Sequence, residues 1–155
     1  DGEYIYVADS EGSSVRGVPF DQTKSVITVV GTSNLPNARL FTFGDKDGQK
    51  NEVLLQHVLG VHYDAGKIYI ADTYNNKVKV VDAKSGETQT VAGSGDPGTS
   101  DEGLGEFDEP SGISKIGSIL YVADTNNHLI RTIDLETKKV GTMSFVGLEP
   151  VIETK

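Results

Sequence analysis

The chain has 155 residues, 36% hydrophobic and 24% charged, a balance that excludes a disordered tail and leaves no apolar run near the ~18 residues of a membrane-spanning helix. Its 14 basic residues stand against 23 acidic ones, a formal charge of −9, which argues against nucleic-acid binding because phosphate-neutralising cations are in deficit. With no cysteine there is no disulfide framework, thiolate metal ligand or cysteine nucleophile.

The length is that of a single domain, and 18 glycines, well above the usual share of about 7%, point to many tight turns between short strands. The chain opens at Asp1 rather than Met and runs directly into an apolar strand at Tyr4. A processed product or a piece of a longer polypeptide is therefore expected. A soluble chain is also expected, with no compartment indicated.

In chain order, strands are predicted at about 3–9, 14–20 and 24–30, the first ending in Tyr6-Val7-Ala8-Asp9. A long connection, 31–56, follows with Asp45, Asp47 and Glu52, and one helical turn is expected over Glu52–Gln56. Strands at about 57–63, 67–72, 77–82 and 87–92 come next, with Tyr69-Ile70-Ala71-Asp72 in the second and period-two alternation in Lys77-Val78-Lys79-Val80. The connection 93–109 leads to a last set at about 110–115, 118–124, 128–134 and 138–146, carrying Tyr121-Val122-Ala123-Asp124.

These are internal repeats. The terminal aspartates Asp9, Asp72 and Asp124 lie 63 and 52 residues apart, and seven residues after each stands a cation: Arg16, Lys79 and Arg131. Ten residues after the second and third stand further acids, Asp82 and Asp134, where the first copy has Pro19 and then Asp21. Repeated four-stranded antiparallel units are the sequence form of a β-propeller. A β-sandwich leaves the repetition in register unexplained. The expected class is all-β, with one domain over 1–155: an incomplete blade at about 1–31 and blades at about 54–93 and 109–147.

The run Tyr121–Asp134, with Asn127-His128-Leu129 inside it, resembles an NHL repeat. Asp72–Asp82 fits the same pattern and Asp9–Arg16 fits it more loosely. The runs Phe41–Gly48, Leu54–His57 and Glu109–Gly112 resemble the NHL propellers that follow a thioredoxin-like domain, of which this chain would be the C-terminal three repeats. The resemblance implies a propeller commonly of six blades, more than this chain supplies.

Several residues invite chemistry. Asp9, Asp72 and Asp124, with Asn75, Asn76, Asn126 and Asn127, are expected to order the turns that follow the central strands, since Asx side chains bond nearby backbone. Equivalent blade positions would hold the three aspartates apart, so no metal is assigned to them. His57, His62 and His128 are expected to diverge rather than bind zinc, although some NHL-like propellers are lyases with a histidine-bound metal. Asp45–Gly48 lacks the calcium-loop spacing, Gly93–Gly98 lacks the Lys and helix start of a phosphate loop, and no Ser sits in a nucleophile elbow. No catalytic residue, metal or cofactor is assigned.

The connection 93–109 holds six acids, Asp96, Asp101, Glu102, Glu106, Asp108 and Glu109, and no Lys or Arg. Strand alternation puts it at the same end as 31–56 and the Asn-rich turns. That end, with Asp45, Asp47, Asp96, Asp101, Glu102, Glu106 and Asp108, is the expected face for a protein partner with a basic surface. The leading expectation is a non-enzymatic interaction scaffold with self-association as a route to ring closure, and without nucleic-acid or membrane partners. Two alternatives stay open: a metal-dependent propeller enzyme of lyase or hydrolase type, and an accessory domain to a thioredoxin-like redox domain.

Overall fold

The computed structural model describes residues 1–32 and 42–147, and these are strand and turn almost throughout. The first repeat forms β1 (Tyr4–Asp9), β2 (Ser14–Pro19) and β3 (Ile27–Gly31), paired antiparallel in that order. The second forms β4 (Gly48–Gln49), β5 (Val58–Asp64), β6 (Lys67–Asp72), β7 (Lys77–Asp82) and β8 (Glu87–Ala92). Its sheet runs β4-β8-β7-β6-β5, the two-residue β4 being added to the outer edge of a four-stranded blade. The third forms β9 (Pro110–Ile116), β10 (Ile119–Asp124), β11 (Leu129–Asp134) and β12 (Val140–Thr142), in the order β12-β11-β10-β9. The three sheets are called blades 1, 2 and 3.

The predicted strands lie where the turn residues bound them. Differences are local. The helical turn expected over Glu52–Gln56 is absent: a 3-10 turn occupies Lys50–Glu52 instead, and the chain beyond it is extended. Val53 and Leu55 are fully buried while Leu54 between them is only half-buried, so this run obeys the period of a strand rather than of a helix. Likewise His57 does not lie within β5. It precedes it in the left-handed region, at φ 52°. Phe41 and the central part of the 31–56 connection lie outside the described residues.

Two apolar layers form the core, one at each junction between blades. Val15, Val29, Val30, Val53, Leu55, Val58, Ile68, Ile70 and Val81 fill the first, between blades 1 and 2. Tyr69, Val78, Val91, Ala92, Phe107, Leu120, Val122, Ile133 and Val140 fill the second, between blades 2 and 3. At about 1.5–3 kcal/mol for each large apolar side chain removed from water, these layers are what holds blade to blade. The central strand β6 is buried on both faces, because Ile68 and Ile70 belong to one layer and Tyr69 to the other. Its counterparts are covered on one side only. In β1, Ile5 and Val7 are 51% and 41% exposed.

Candidate functional site

The repeated aspartates end the central strands and enter the same network in blades 2 and 3. Asp72 Oδ1 accepts the Gln56 N–H at 2.7 Å, and Asp124 Oδ1 accepts the Asp108 N–H at 2.8 Å. The other oxygen accepts the Asn three residues on: Asn75 Nδ2 at 2.8 Å from Asp72, Asn127 Nδ2 at 2.9 Å from Asp124. Each of those amides also donates to the incoming connection, Asn75 to the Gly44 carbonyl and Asn127 to the Gly98 carbonyl, both at 2.7 Å. One carboxylate and one amide thus clamp the connection to the turn.

The cation seven residues on completes the network. A β-bulge places the extra residue Val91 of the neighbouring β8 opposite the step from Val78 to Lys79. Lys79 Nζ lies 3.4 Å from Asp72, and Arg131 Nη1 lies 3.1 Å from Asp124; all four side chains are completely buried. Arg131 also donates to the carbonyls of Glu106 and Ser100 and lies over the Phe107 ring. In blade 1, Arg16 Nε pairs with Asp9 at 2.9 Å, but both remain partly exposed.

A second acid for each buried cation comes from the connections. Asp45 bonds both Lys77 and Lys79, Asp47 lies 3.1 Å from Lys79 and accepts the Thr90 N–H at 2.7 Å, and Asp101 pairs with Arg131. These three acids keep 36%, 40% and 48% of their side chains exposed while pairing with the buried cations, so they are not simply displayed at the rim as the sequence suggests. The reason is electrostatic: a buried cation needs more than one acceptor to offset its lost hydration. Glu106 accepts the Ser100 N–H and Asp108 accepts Asn126 Nδ2. Asp96, Glu102 and Glu109 remain exposed on the connection, beside exposed Leu104. The partnership of the repeat Asp with its cation escaped sequence reading because Lys79 alternates with valines as a solvent-facing lysine would. The equal seven-residue spacing was the available signal.

Titration follows from this geometry. Burial pushes the Asp72 carboxyl up to about 6, against Lys79, Asn75 and the Gln56 N–H, which favour its charged form. For Asp45 burial also pushes upward, but the bonds from Lys77 and Lys79 prevail and hold it below the ordinary carboxylate value. Asp82 is held low by the Ser85 N–H, Lys67 and the Ser85 hydroxyl, and Asp134 by the Glu136 and Thr137 N–H groups.

The histidines do not converge. His57 stacks on Tyr74 at 4.3 Å, His62 lies in β5 opposite Tyr69, and His128 sits in the turn after β10. Among the described residues no three His, Asp or Glu side chains are grouped to hold a metal ion, and no helix is long and apolar enough to cross a membrane.

Antiparallel blades packed face to face, the second and third clamped by the same Asp–Asn–cation turn, define a segment of a β-propeller. No protein-family model matches the chain. It is 45% identical over 155 residues to the human NHL repeat-containing protein 2, covering 96% of this chain and 21% of that protein. It is 41% identical over 152 residues to Protein SUPPRESSOR OF QUENCHING 1, chloroplastic, from Arabidopsis thaliana, covering 94% of this chain and 14% of that protein. The chain belongs to the NHL-repeat β-propeller family and spans about a fifth or less of the length of these relatives. Two solved structures share the fold. A structural-genomics protein of unknown function from Bacteroides thetaiotaomicron has a TM-score of 0.67 at 24% identity, over 82% of this chain and 31% of its own. An auxiliary nutrient binding protein from the same species has a TM-score of 0.60 at 16% identity, over 92% of this chain and 35% of its own.

Proposed function

We propose that this propeller segment is a non-enzymatic scaffold that docks a protein partner with a basic surface on the end carrying the inter-blade connections. The observation that carries this is the division of labour among the acids. Asp45, Asp47, Asp72, Asp101 and Asp124 are engaged in ion pairs with Lys79 and Arg131, which tether the connections to the blades. Asp96, Glu102 and Glu109 are exposed without a buried cation as partner, with Leu104 53% and Tyr74 49% exposed at the same end. A tethered loop with apolar contacts ringed by one sign of charge is suited to protein recognition. The test is binding of a Lys/Arg-rich probe peptide and an acidic control peptide, across a salt series, to the parent chain and to Asp96→Asn/Glu102→Gln/Glu109→Gln. Selective binding that weakens with salt and with the triple change is expected. Binding indifferent to both would defeat the proposal.

A further inference from the structure

The two junctions between blades differ at the end opposite the inter-blade connections. Asp1 and Asp64 each stand eight residues before a repeat aspartate, and Tyr6 and Tyr69 each stand three before it. Tyr63 pairs with Ile68 in β6 and Lys115 pairs with Leu120 in β10, each partner lying four residues before its repeat aspartate. Tyr63 and Lys115 therefore hold the same place in successive blades, and each meets the blade before it: Tyr63 against Tyr6, Lys115 against Asp64.

Between blades 2 and 3 that place is filled by an ammonium. Lys115 Nζ donates to Asp64 Oδ2 at 2.6 Å, a bond that holds the lysine pKa above its ordinary value, with a smaller push from nearby Tyr69. Between blades 1 and 2 the acid and the tyrosine are kept, but the cation is not. Tyr63 stands in its place and stacks on Tyr6 at 5.2 Å, and the Tyr4 ring lies 6.4 Å from that of Tyr6.

A cavity of about 420 Å³ opens here, beside the β5–β6 and β7–β8 turns. That volume is ordinary for a small-ligand site, roughly 300–1,000 Å³. Tyr4, Tyr6, Tyr63 and Ile27 wall it, and three acids, Asp1, Glu3 and Asp82, stand at its edge against one lysine, Lys84. Glu3 is paired with Lys24 and Asp82 with Lys67, both at 3.0 Å. Asp1 has no Lys or Arg partner among the described residues. Its carboxylate accepts the Tyr6 hydroxyl and the N–H groups of Glu3 and Tyr4, which leaves acceptor capacity for one more donor.

We propose that this cavity binds an alkylammonium group, the end of a lysine side chain or a free amine, held over the tyrosine faces with an N–H donated to Asp1. The rings attract the cation through their negative faces, and the apolar walls cover its methylene stem. The ligand brings from outside the ammonium that the next junction builds into its own strand. The site lies at the opposite end from the acidic connections and does not depend on them.

The test is an NMR titration of the chain, acetylated at its amino terminus so that Asp1 carries no ammonium of its own. Added n-butylammonium should shift the ring signals of Tyr6 and Tyr63 saturably at a single site, and the neutral n-butanol should not. Asp1→Asn should weaken n-butylammonium about tenfold, because the charge-assisted bond is lost. Tyr63→Lys should abolish its binding, because a tethered ammonium then occupies the place as Lys115 does. Blocked lysine that binds as tightly as n-butylammonium supports the proposal and assigns the site to a protein side chain. Exclusion of blocked lysine while n-butylammonium binds supports it and assigns the site to a free amine. The proposal is overturned if n-butylammonium does not bind, if n-butanol binds as well, or if binding is unchanged by Asp1→Asn or survives Tyr63→Lys. Should Tyr63→Lys fail to fold, the n-butanol contrast and Asp1→Asn still decide.

Discussion

Asp124 and Arg131, seven residues apart on neighbouring strands, form an ion pair at 3.1 Å in which neither side chain touches solvent. Asp72 and Lys79 repeat it at 3.4 Å. Buried pairs of this kind contribute little against a well-packed apolar pair, but removing one partner strands the other in a medium that cannot hydrate it.

An alanine series across the repeats should therefore be graded. Asp124→Ala and Asp72→Ala should each cost about 3–5 kcal/mol, because each leaves a buried cation short of an acceptor and a backbone N–H unpaired. Asp9→Ala should cost about 1 kcal/mol or less, since Asp9 and Arg16 remain partly hydrated. Urea unfolding of the three variants measures this. Equal losses at all three sites would mean that burial is not what sets the cost.

Two neighbouring acids on one loop should behave differently. Asp101 bonds the buried Arg131 and also accepts the Thr142 hydroxyl at 3.4 Å, whereas Glu102 is exposed. Asp101→Asn should lower stability by about 1 kcal/mol, the carboxylate being half-exposed, and Glu102→Gln should lie within about 0.5 kcal/mol of the parent chain. Thermal melts of the pair distinguish a tethered loop from a merely solvated one.

The pH dependence of stability should carry a mark from Asp72. Its carboxyl rises from 3.8 to about 6 on folding. Between those values the folded chain holds a proton that the unfolded chain has released. The contribution of this group to stability is therefore greatest below the unfolded value, falls as pH rises through the window, and is flat above it. Asp45, held low, contributes in the opposite sense, its stability being lost as pH falls. Comparing Asp72→Asn with the parent chain isolates the first effect: the parent should lose ground as pH is raised from about 4 to about 6. A difference that stays flat across that window, or runs the other way, would show that Asp72 is not held up by burial.

The strands and their repeat were readable because they depend on local chemistry. Apolar runs ending in Asp, with Thr, Asn and Gly behind them, bound β6 and β10 from both sides. The place of Asp72 and Asp124 at the strand ends was readable for the same reason, but their carboxylates bond the Asn side chain three residues on and the N–H of the incoming connection rather than the backbone of the turn. Asn76 was legible as a turn residue, but its bond to the Glu109 N–H, 33 positions away, was not. Nor was the pairing of Asp45 and Asp101 with buried cations, which lie 34 and 30 positions along the chain. Spacing within a repeat reports what a residue does to its own blade. It is silent about what it receives from the connection in front.

Each buried cation is neutralised partly by an acid that is earlier in the chain: Lys79 by Asp45 and Asp47, Arg131 by Asp101. During synthesis, which delivers the amino-terminal part first, the acid has already left the ribosome when its cation emerges. A blade can therefore close as soon as its third strand is out, without waiting for charge compensation from chain still to come. The dependence runs in one direction only. Truncation from the carboxyl end should leave upstream blades with their cations satisfied, whereas loss of a connection at its amino-terminal side should leave the next blade with a charge it cannot bury.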